Sequence, residues 1–348
     1  MVRCSRFCFA LAMAIVVFPP VAGAQVREFR ISHQWEANVD ARDRAARVFA
    51  AEVEKRVPGV KVTVHAKSSL GVKPVEQYEA LLEGKFEMSV YPLFYGSKKV
   101  PEFAIGLLPG VPHNTDTARL LKGSDFADKL QELAEDKGIH VLTWWWLGGG
   151  IASSKKEIGA PETVVGLKVR GGDKTFDMML AKAGGSPMFV SSNELAKAMA
   201  DGRCELALTS YESFVSYKLY EHAKFVTFGG KGIWTSFQPL IMSKQAWQKL
   251  SDAEKEAFIE AAEISNVYFE KTQEEALKAA IDTFKKAGAK VRQLSFEEYA
   301  AWLHVARDTS WRTYQSISPA ADELLISMLQ SFIDSDSRVR AEGQKKVQ

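Results

Sequence analysis

An uninterrupted helical pattern near the carboxyl end constrains the fold of this chain more than any other feature. Ser251-Asp252-Ala253-Glu254 has the spacing of a capping box, in which the serine and glutamate side chains bond the first free N–H groups of a helix. No proline or glycine follows before about Lys286. At about 1.5 Å per residue this helix would be roughly 50 Å long, enough to lie across two lobes. Two shorter helices joined by a kink are the alternative.

The rest of the chain alternates between strand and helix patterns, which predicts an α/β fold with parallel-rich sheets and helices on both faces. In a first set, the predicted strands are 28–33, 60–65, 86–91 and 139–145, the last ended by three glycines, and the helices are 40–56, 75–83 and 124–137. In a second set, the strands are 167–170, 187–190 and 206–209, and the helices are 173–183 and 193–200. The remaining predictions are a long strand at 234–242 that returns to the first set, helices at 295–314 and 320–333, and a frayed tail at 334–348.

The first 24 residues have the pattern of an export signal. Arg3 and Arg6 form a basic start, residues 7–17 are apolar, and residues 22–24 have the small-x-small pattern of a cleavage site. The apolar run is too short to span a bilayer, which takes about 20 apolar residues. We therefore expect cleavage after Ala24 and an exported protein that is not itself embedded in a membrane.

Charge, cysteine content and motifs exclude several classes of protein. The chain has 45 basic and 43 acidic residues, and two of the arginines belong to the signal, so the remainder is balanced and offers no footprint for nucleic acid. Only Cys204 lies beyond the signal, which excludes an internal disulfide and predicts a buried structural thiol. No G-x-S-x-G, H-E-x-x-H or P-loop motif occurs, and the histidines are never paired at metal-ligand spacing. We expect no cofactor.

Arg170 is the leading candidate for ligand contact. It ends the run Gly166-Leu167-Lys168-Val169-Arg170, and Gly171-Gly172 lead directly into a helical pattern. Its guanidinium is always charged and can donate two parallel hydrogen bonds to a carboxylate. A salt bridge at the surface or between lobes is the commoner role of such a residue, and these residues alone favour that role.

The chain resembles the DctP-type substrate-binding subunits of tripartite ATP-independent periplasmic (TRAP) transporters. The stretches that carry this resemblance are Ile31-Ser32-His33, Ser69-Leu70-Gly71, Gly166 to Arg170, Glu194 to Gly202, and Leu240 to Trp247. The resemblance implies two α/β lobes that close over a ligand at their hinge, braced by the long helix. The implied division is a signal at 1–24, lobe I mainly at 25–150, lobe II mainly at 151–233, and at 234–348 the return strand, the spanning helix and helices packed on both lobes.

The resemblance also implies a function. Members of this family capture small organic acids in the periplasm, deliver them to a membrane permease driven by an ion gradient, and catalyse nothing. Their signature arginine, which pairs with the ligand carboxylate, corresponds to Arg170. We therefore expect a monomer without enzymatic activity, whose partners are an organic acid and the TRAP permease subunits.

Two departures from the family pattern narrow the expected ligand. Many acid-binding members, including those for sialic acid, have a second arginine twenty residues before the first, where this chain has Gly150. This change removes a cation and is expected to open volume. Some 2-oxo acid binders hold a metal cation with an acidic residue and a tryptophan after the strand that ends near Leu208. Thr209-Ser210 stand there in this chain, so no metal is expected.

The resulting hypothesis is a monocarboxylate with an apolar or aromatic body, with a 2-oxo or 2-hydroxy group as an optional feature. Arg170 holds the carboxylate and Thr209 offers a hydroxyl. The pocket walls are predicted to include Tyr91, Trp146, Trp234, Phe237 and Trp35. Strand alternation places Trp144 and Trp146 on one face and Trp145 on the other. Core packing is the commoner role of any single tryptophan.

Three alternatives remain open. The ligand of the same family could be a sugar acid or a zwitterion, with tryptophan rings stacked on the sugar or the cation. The protein could be a ligand-sensing partner of a receptor or kinase, which the same fold supports. A secreted hydrolase on an α/β scaffold is the third, and the sequence shows no nucleophile that we can assign to it.

Overall fold

The computed structural model describes residues 26–347. The predicted signal, with its cleavage after Ala24, lies outside these described residues. In chain order the strands are β1 (Arg27–Ser32), β2 (Val60–His65), β3 (Met88–Val90), β4 (Ile139–Val141), β5 (Trp146–Ser153), β6 (Lys168–Arg170), β7 (Ser186–Pro187), β8 (Leu206–Ser210), β9 (Phe225–Thr227), β10 (Thr235–Phe237), β11 (Leu240–Ser243) and β12 (Lys290–Arg292).

The helices alternate with these strands over most of the chain. They are α1 (Ala41–Arg56), α2 (Gln77–Leu82), α3 (Thr115–Arg119), α4 (Asp125–Asp136), α5 (Lys174–Lys182), α6 (Leu195–Ala200), α7 (Tyr211–Ser216), α8 (Lys244–Gln248), α9 (Asp252–Lys286), α10 (Phe296–Ala306), α11 (Arg312–Gln315) and α12 (Pro319–Val347). No helix in the described part of the chain is both long and apolar enough to cross a membrane.

The strands form two sheets, one in each lobe. The first has the order β2-β1-β3-β11-β4, and the second has the order β12-β9-β5-β8-β6-β7 with β10 paired to β5. Neighbouring strands are parallel where β5, β10 and β11 are not involved, and these three run antiparallel to their neighbours. The predicted two-lobed α/β fold with parallel-rich sheets is confirmed.

The chain passes between the sheets at residues 141–146, at residues 237–240 and through α9, and the first two passages correct the predicted strands. The strand predicted at 139–145 ends at Val141, and Gly148 to Gly150 lie inside β5 instead of ending a strand. Pairing with β8, β9 and β10 holds this glycine-rich segment extended. The strand predicted at 234–242 does return to the first sheet, but it is divided into β10 and β11 at Pro239, which has no N–H for a ladder.

Helix α9 is one continuous helix of 35 residues that begins with the predicted capping box at Ser251. Near one end, Phe258 packs edge-on against Phe29 and Phe49 of the first lobe, with ring centroids 5.5 and 5.8 Å apart. Near the other end, Phe284 packs against Phe214 and Phe228 of the second lobe at 5.9 and 5.2 Å. The single spanning helix is therefore confirmed.

The carboxyl-terminal helices extend further than predicted. The helix expected at 295–314 is present as α10, a π-turn at Arg307–Trp311, and α11. The frayed tail predicted from 334 is wrong, because α12 continues to Val347. His113 accounts for part of this extension, since its ring packs edge-on against Phe332 at 5.2 Å and its Nε2 lies 3.5 Å from the Asp336 carboxylate.

Candidate functional site

Arg170 is a buried cation with no carboxylate partner among the residues that the structure describes. Its side chain is 1 % exposed, its Nε donates to the Val190 carbonyl at 3.0 Å, and its Nη1 donates to the Leu208 carbonyl at 2.8 Å. Its Nη2 donates to no described residue, and no described carboxylate lies within ion-pair distance of it. Burial of an unpaired charge is costly. The guanidinium is therefore held in place and left with a donor for an anion.

The loop after Arg170 is bonded on both sides and approaches the first lobe closely. The Gly171 N–H donates to Asp177 Oδ1 at 2.9 Å, and Trp234 Nε1 donates to the Gly171 carbonyl at 3.4 Å. Gly172 has a φ of 112°, and a Cβ there would lie 3.0 Å from Arg170 Nη1 and 3.4 Å from Leu107 Cδ2. Glycine therefore allows the guanidinium and the first-lobe segment at Leu107 to meet.

Thr209 and Trp234 lie beside this arginine. Thr209 follows Leu208 at the end of β8 and is 3 % exposed, and its hydroxyl donates to no described residue. The Trp234 ring fills the space in which a side chain at position 149 would lie, and the Thr209 carbonyl borders the same space. Gly149 thus makes room for Trp234. The structure brings Arg170, Thr209 and Trp234 together at one end of the second sheet.

Gly150 does not open volume, so that expectation is wrong. A Cβ at this position would lie 2.5 Å from the Phe228 ring and 2.5 Å from the Thr227 carbonyl. The aromatic ring that follows β9 occupies the space that a larger residue would need. The glycine removes a cation without creating a cavity.

Trp146 and Phe237 lie together at the crossing between the sheets. The Phe237 ring lies between Trp144 and Trp146, with centroid distances of 4.9 and 5.1 Å, whereas Trp145 stacks on Phe269 of α9 at 5.0 Å. The predicted alternation of the three tryptophans is confirmed. The Phe237 Cβ lies 3.7 Å from the Cβ position of Gly106, the neighbour of Leu107. This aromatic group therefore lies across the Leu107 segment from Arg170.

Tyr91 and Trp35 belong to other clusters. The Tyr91 ring packs with Tyr78 and Tyr95, each at 6.4 Å, and burial holds the pKa of its phenol well above the ordinary value. The Trp35 ring lies 4.0 Å below the Arg42 guanidinium. Neither ring makes a hydrogen bond or a ring contact with Arg170, Thr209 or Trp234.

A cavity of about 830 Å³ lies where the two lobes meet, within the size range of small-molecule sites. Its lining includes Phe94, Tyr95, Ser97, Gly172, Asp173 and Phe189. Ser97 Oγ donates to Asp173 Oδ2 at 2.8 Å, and the Ser192 N–H donates to the Tyr95 hydroxyl at 3.3 Å, so each bond joins the lobes. Arg170 itself is not among the lining residues, but Gly172 is, and its Cβ position lies 3.0 Å from Arg170 Nη1. The sequence analysis missed these residues, because they come from separate segments that share no motif.

A second buried arginine, Arg42, bridges the lobes near the start of α1. Its guanidinium bonds both oxygens of Asp40 at 2.7 and 2.6 Å, and it donates to Gln238 at 2.8 Å and to Ser213 of the second lobe at 3.1 Å. Burial, together with the Asp40 charge, raises the pKa of nearby Glu212 to about 7. No local pattern in the sequence indicates this cluster, since Ser213 is 171 positions from Arg42.

Metal and thiol chemistry find no support in the described residues. No group of three or more His, Cys, Asp or Glu side chains among residues 26–338 is arranged to hold a metal ion. Cys204 is free and buried, its Sγ donates to the Leu206 carbonyl at 3.3 Å, and burial raises the pKa of its thiol to about 11. The predicted structural role of this thiol is confirmed.

Comparison with known proteins gives a consistent answer. Residues 31–316 match the model of the DctP family, bacterial extracellular solute-binding proteins of family 7. A solute-binding protein of Albidiferax ferrireducens is 36 % identical over 312 residues, which are 88 % of this chain and 92 % of that protein. The C4-dicarboxylate-binding periplasmic protein DctP of Rhodobacter capsulatus is 27 % identical over 300 residues, 85 % of this chain and 88 % of that protein.

Solved structures agree. A TRAP periplasmic solute-binding protein from Rhodoferax ferrireducens with bound malonate superposes with a TM-score of 0.85 at 34 % identity, covering 88 % of this chain and 98 % of that one. The family match, the two lobes and the spanning helix lead to one conclusion. The chain belongs to the DctP family of bacterial extracellular solute-binding proteins, the substrate-binding proteins of TRAP transporters.

Proposed function

We propose that this protein captures a small organic acid in the periplasm and delivers it to the membrane permease of a TRAP transporter, with Arg170 binding the ligand carboxylate. The buried Arg170 guanidinium, which has a free Nη2 and no carboxylate partner among the described residues, carries the proposal. A carboxylate from the ligand would supply the missing counter-charge in a site that excludes water. The protein itself catalyses no reaction in this proposal.

The proposed ligand is a monocarboxylate with an apolar or aromatic body. The adjoining cavity supports this, because much of its lining is apolar, namely Val75, Phe94, Pro101, Ala104, Met178, Phe189 and Ile317. Thr209 offers its hydroxyl to a group next to the carboxylate, and Trp234 lies beside it. The ligand is also proposed to contact Trp146 and Phe237, which lie between the two sheets, and Tyr91 and Trp35 in the first lobe.

A dicarboxylate is the second candidate. The Rhodoferax ferrireducens protein, 34 % identical, has bound malonate. In this chain the cavity lining also includes Lys98, Lys99 and Lys174, which are exposed and could receive a second carboxylate. Sugar acids belong to the same comparison, since a relative from Sulfitobacter with bound galacturonate has the same fold.

Calorimetric titration of the chain from Gln25 onward would separate these candidates. Phenylpyruvate, mandelate and benzoate are compared with malonate, succinate and galacturonate. We expect the monocarboxylates to bind more tightly than the other acids. Their binding should be lost in Arg170→Met and unchanged in Lys174→Met, a control variant at an exposed lysine that lines the cavity. Binding of dicarboxylates alone, with loss in both variants, would reject the monocarboxylate. Full binding in Arg170→Met would reject the carboxylate role of Arg170, and turnover of any bound acid would reject a purely binding function.

A further inference from the structure

Asp177 contacts the residue that follows Arg170. Its Oδ1 accepts the Gly171 N–H at 2.9 Å, and a Cβ on Gly171 would lie 2.9 Å from the same oxygen. A larger residue at position 171 would displace this carboxylate. Trp234 Nε1 holds the opposite side of the same residue through the Gly171 carbonyl. Asp177 thus helps to hold the loop that follows Arg170 in place. The sequence analysis did not identify this residue.

Asp177 is also electrically coupled to Arg170. Burial raises the pKa of the Asp177 carboxyl to about 6, the Gly171 N–H and the Arg170 charge act in the opposite direction, and the Asp173 charge raises it further. The π-turn at Arg307–Trp311 packs against α5, and its charged residues Arg307 and Asp308 are exposed. Lys174 and Lys182 of α5 are exposed as well. Helix α10 and residues 101–107 also pack against α5; Glu297 and His304 are exposed, Glu298 pairs with Arg292, and Glu102 accepts from Ser318 Oγ. The charges that shift the pKa of Asp177 are those of Arg170 and Asp173.

We infer that Asp177 is a positioning residue for Arg170 and that its charge competes with the ligand carboxylate, so that capture of the anion weakens when Asp177 ionises. This inference rests on the proposed function. The hydrogen bond to Gly171 N–H fixes the loop in either protonation state, whereas the negative charge offsets the cation that attracts the ligand. A bound anion beside Arg170 favours the protonated carboxyl, so ligand binding takes up a proton and affinity falls as pH rises through about 6.

Two variants separate the hydrogen bond that Asp177 accepts from Gly171 from the effect of its negative charge. Asp177→Asn keeps an oxygen that can accept from Gly171 but has no charge, and Asp177→Leu keeps the size and loses both. Using phenylpyruvate, which is ionised throughout this range, we expect the wild-type Kd to be about three- to tenfold weaker at pH 8 than at pH 5.5. Asp177→Asn should bind equally at both values, near the wild-type affinity at pH 5.5. Asp177→Leu should bind about fivefold more weakly than Asp177→Asn at both, since the loop loses its anchor.

A second measurement needs no ligand. Carboxyl NMR of the free protein gives the titration of Asp177 directly, and replacing Arg170 by Met should raise its midpoint by about one pH unit, because a nearby cation is removed. An unchanged midpoint would overturn the coupling, as would a wild-type pH profile in Asp177→Asn. Retained phenylpyruvate binding in Arg170→Met would instead overturn the proposed function. If phenylpyruvate does not bind the wild type, the NMR result decides the inference.

Discussion

Arg42 and Arg170 are both 1 % exposed, but their surroundings differ. Arg42 has an internal counter-charge in Asp40, two further acceptors in Gln238 and Ser213, and the face of Trp35. Arg170 has two backbone carbonyls and no carboxylate among the described residues. A buried charge needs compensation in a medium of low polarity. Arg42 finds this compensation within the protein, and we propose that Arg170 finds it in a ligand.

The two surroundings separate a structural cation, Arg42, from the proposed binding cation, Arg170, without reference to sequence motifs. The acids near Arg42 are Asp40 and Glu212, and Arg44 is a second cation that acts on Glu212. This cluster links the two lobes and holds them in register. The Arg170 charge acts on the Asp177 carboxylate from beyond ion-pair distance, and the Asp173 charge acts on the same carboxylate. Substitution should therefore mainly lower stability at Arg42 and mainly weaken ligand binding at Arg170.

The largest expected effect is the loss of stability on substitution of Arg42. Arg42→Met leaves the Asp40 carboxylate buried and unpaired, so we expect the free energy of unfolding to fall by about 3–5 kcal/mol. Denaturant unfolding measures it. Adding Asp40→Asn to this variant removes the unpaired charge and should recover part of the loss. A fall below 1 kcal/mol in the single variant would show that the pair is not buried in solution.

The next largest effect is the loss of ligand binding on substitution of Arg170. Arg170→Met removes two charge-assisted hydrogen bonds to the ligand, each worth roughly 1.5–3 kcal/mol, so binding should weaken by about 100-fold or more. The unfolding free energy of the ligand-free protein should change little, because removal of an unpaired buried charge offsets the two lost carbonyl bonds. Calorimetry and denaturant unfolding measure the two quantities. A loss of stability as large as that of Arg42→Met would remove the distinction.

The pH dependence of stability tests the electrostatic environment of Glu212, which lies near Arg42. Its pKa is raised from 4.5 to about 7, so the folded state binds the proton more tightly than the unfolded state does. This contribution to stability is complete below about pH 4.5 and is lost as pH rises through about 7. Glu212→Gln should therefore match the wild type near pH 4.5 and be about 1–2 kcal/mol more stable relative to it at pH 8. Thermal unfolding across this range measures the difference, and parallel pH profiles would contradict the assignment.

The smallest effect concerns the bonds that join the lobes beside the cavity. Ser97→Ala removes the bond to Asp173, and Tyr95→Phe removes the bond to the Ser192 N–H. If these bonds form only in the closed state, each loss of about 1 kcal/mol should weaken ligand binding about fivefold. Titration with the same acid measures both variants. Unchanged affinity in both would show that these contacts do not contribute to closure.

The sequence predicted some parts of the site and not others. Arg170, Thr209 and Trp234 follow or precede short strands, and ends of strands in one sheet lie close together, so their proximity was foreseeable. Trp35 and Tyr91 also adjoin strand ends, but Arg42 covers one and a cluster of tyrosines surrounds the other. No local pattern shows which ring packs in a core. Whether these residues bind the ligand stays a prediction.

Local patterns were enough to predict the continuous spanning helix, the order of α and β units and the alternation of the three tryptophans, because these depend on periods of 3.6 and 2 residues within one segment. The folded chain was needed to show that Phe228 fills the space beside Gly150, 78 positions away, and that Arg42 has a counter-charge while Arg170 has none among the described residues. Volume and charge compensation are set by neighbours from distant segments, and these are known only once the chain is folded.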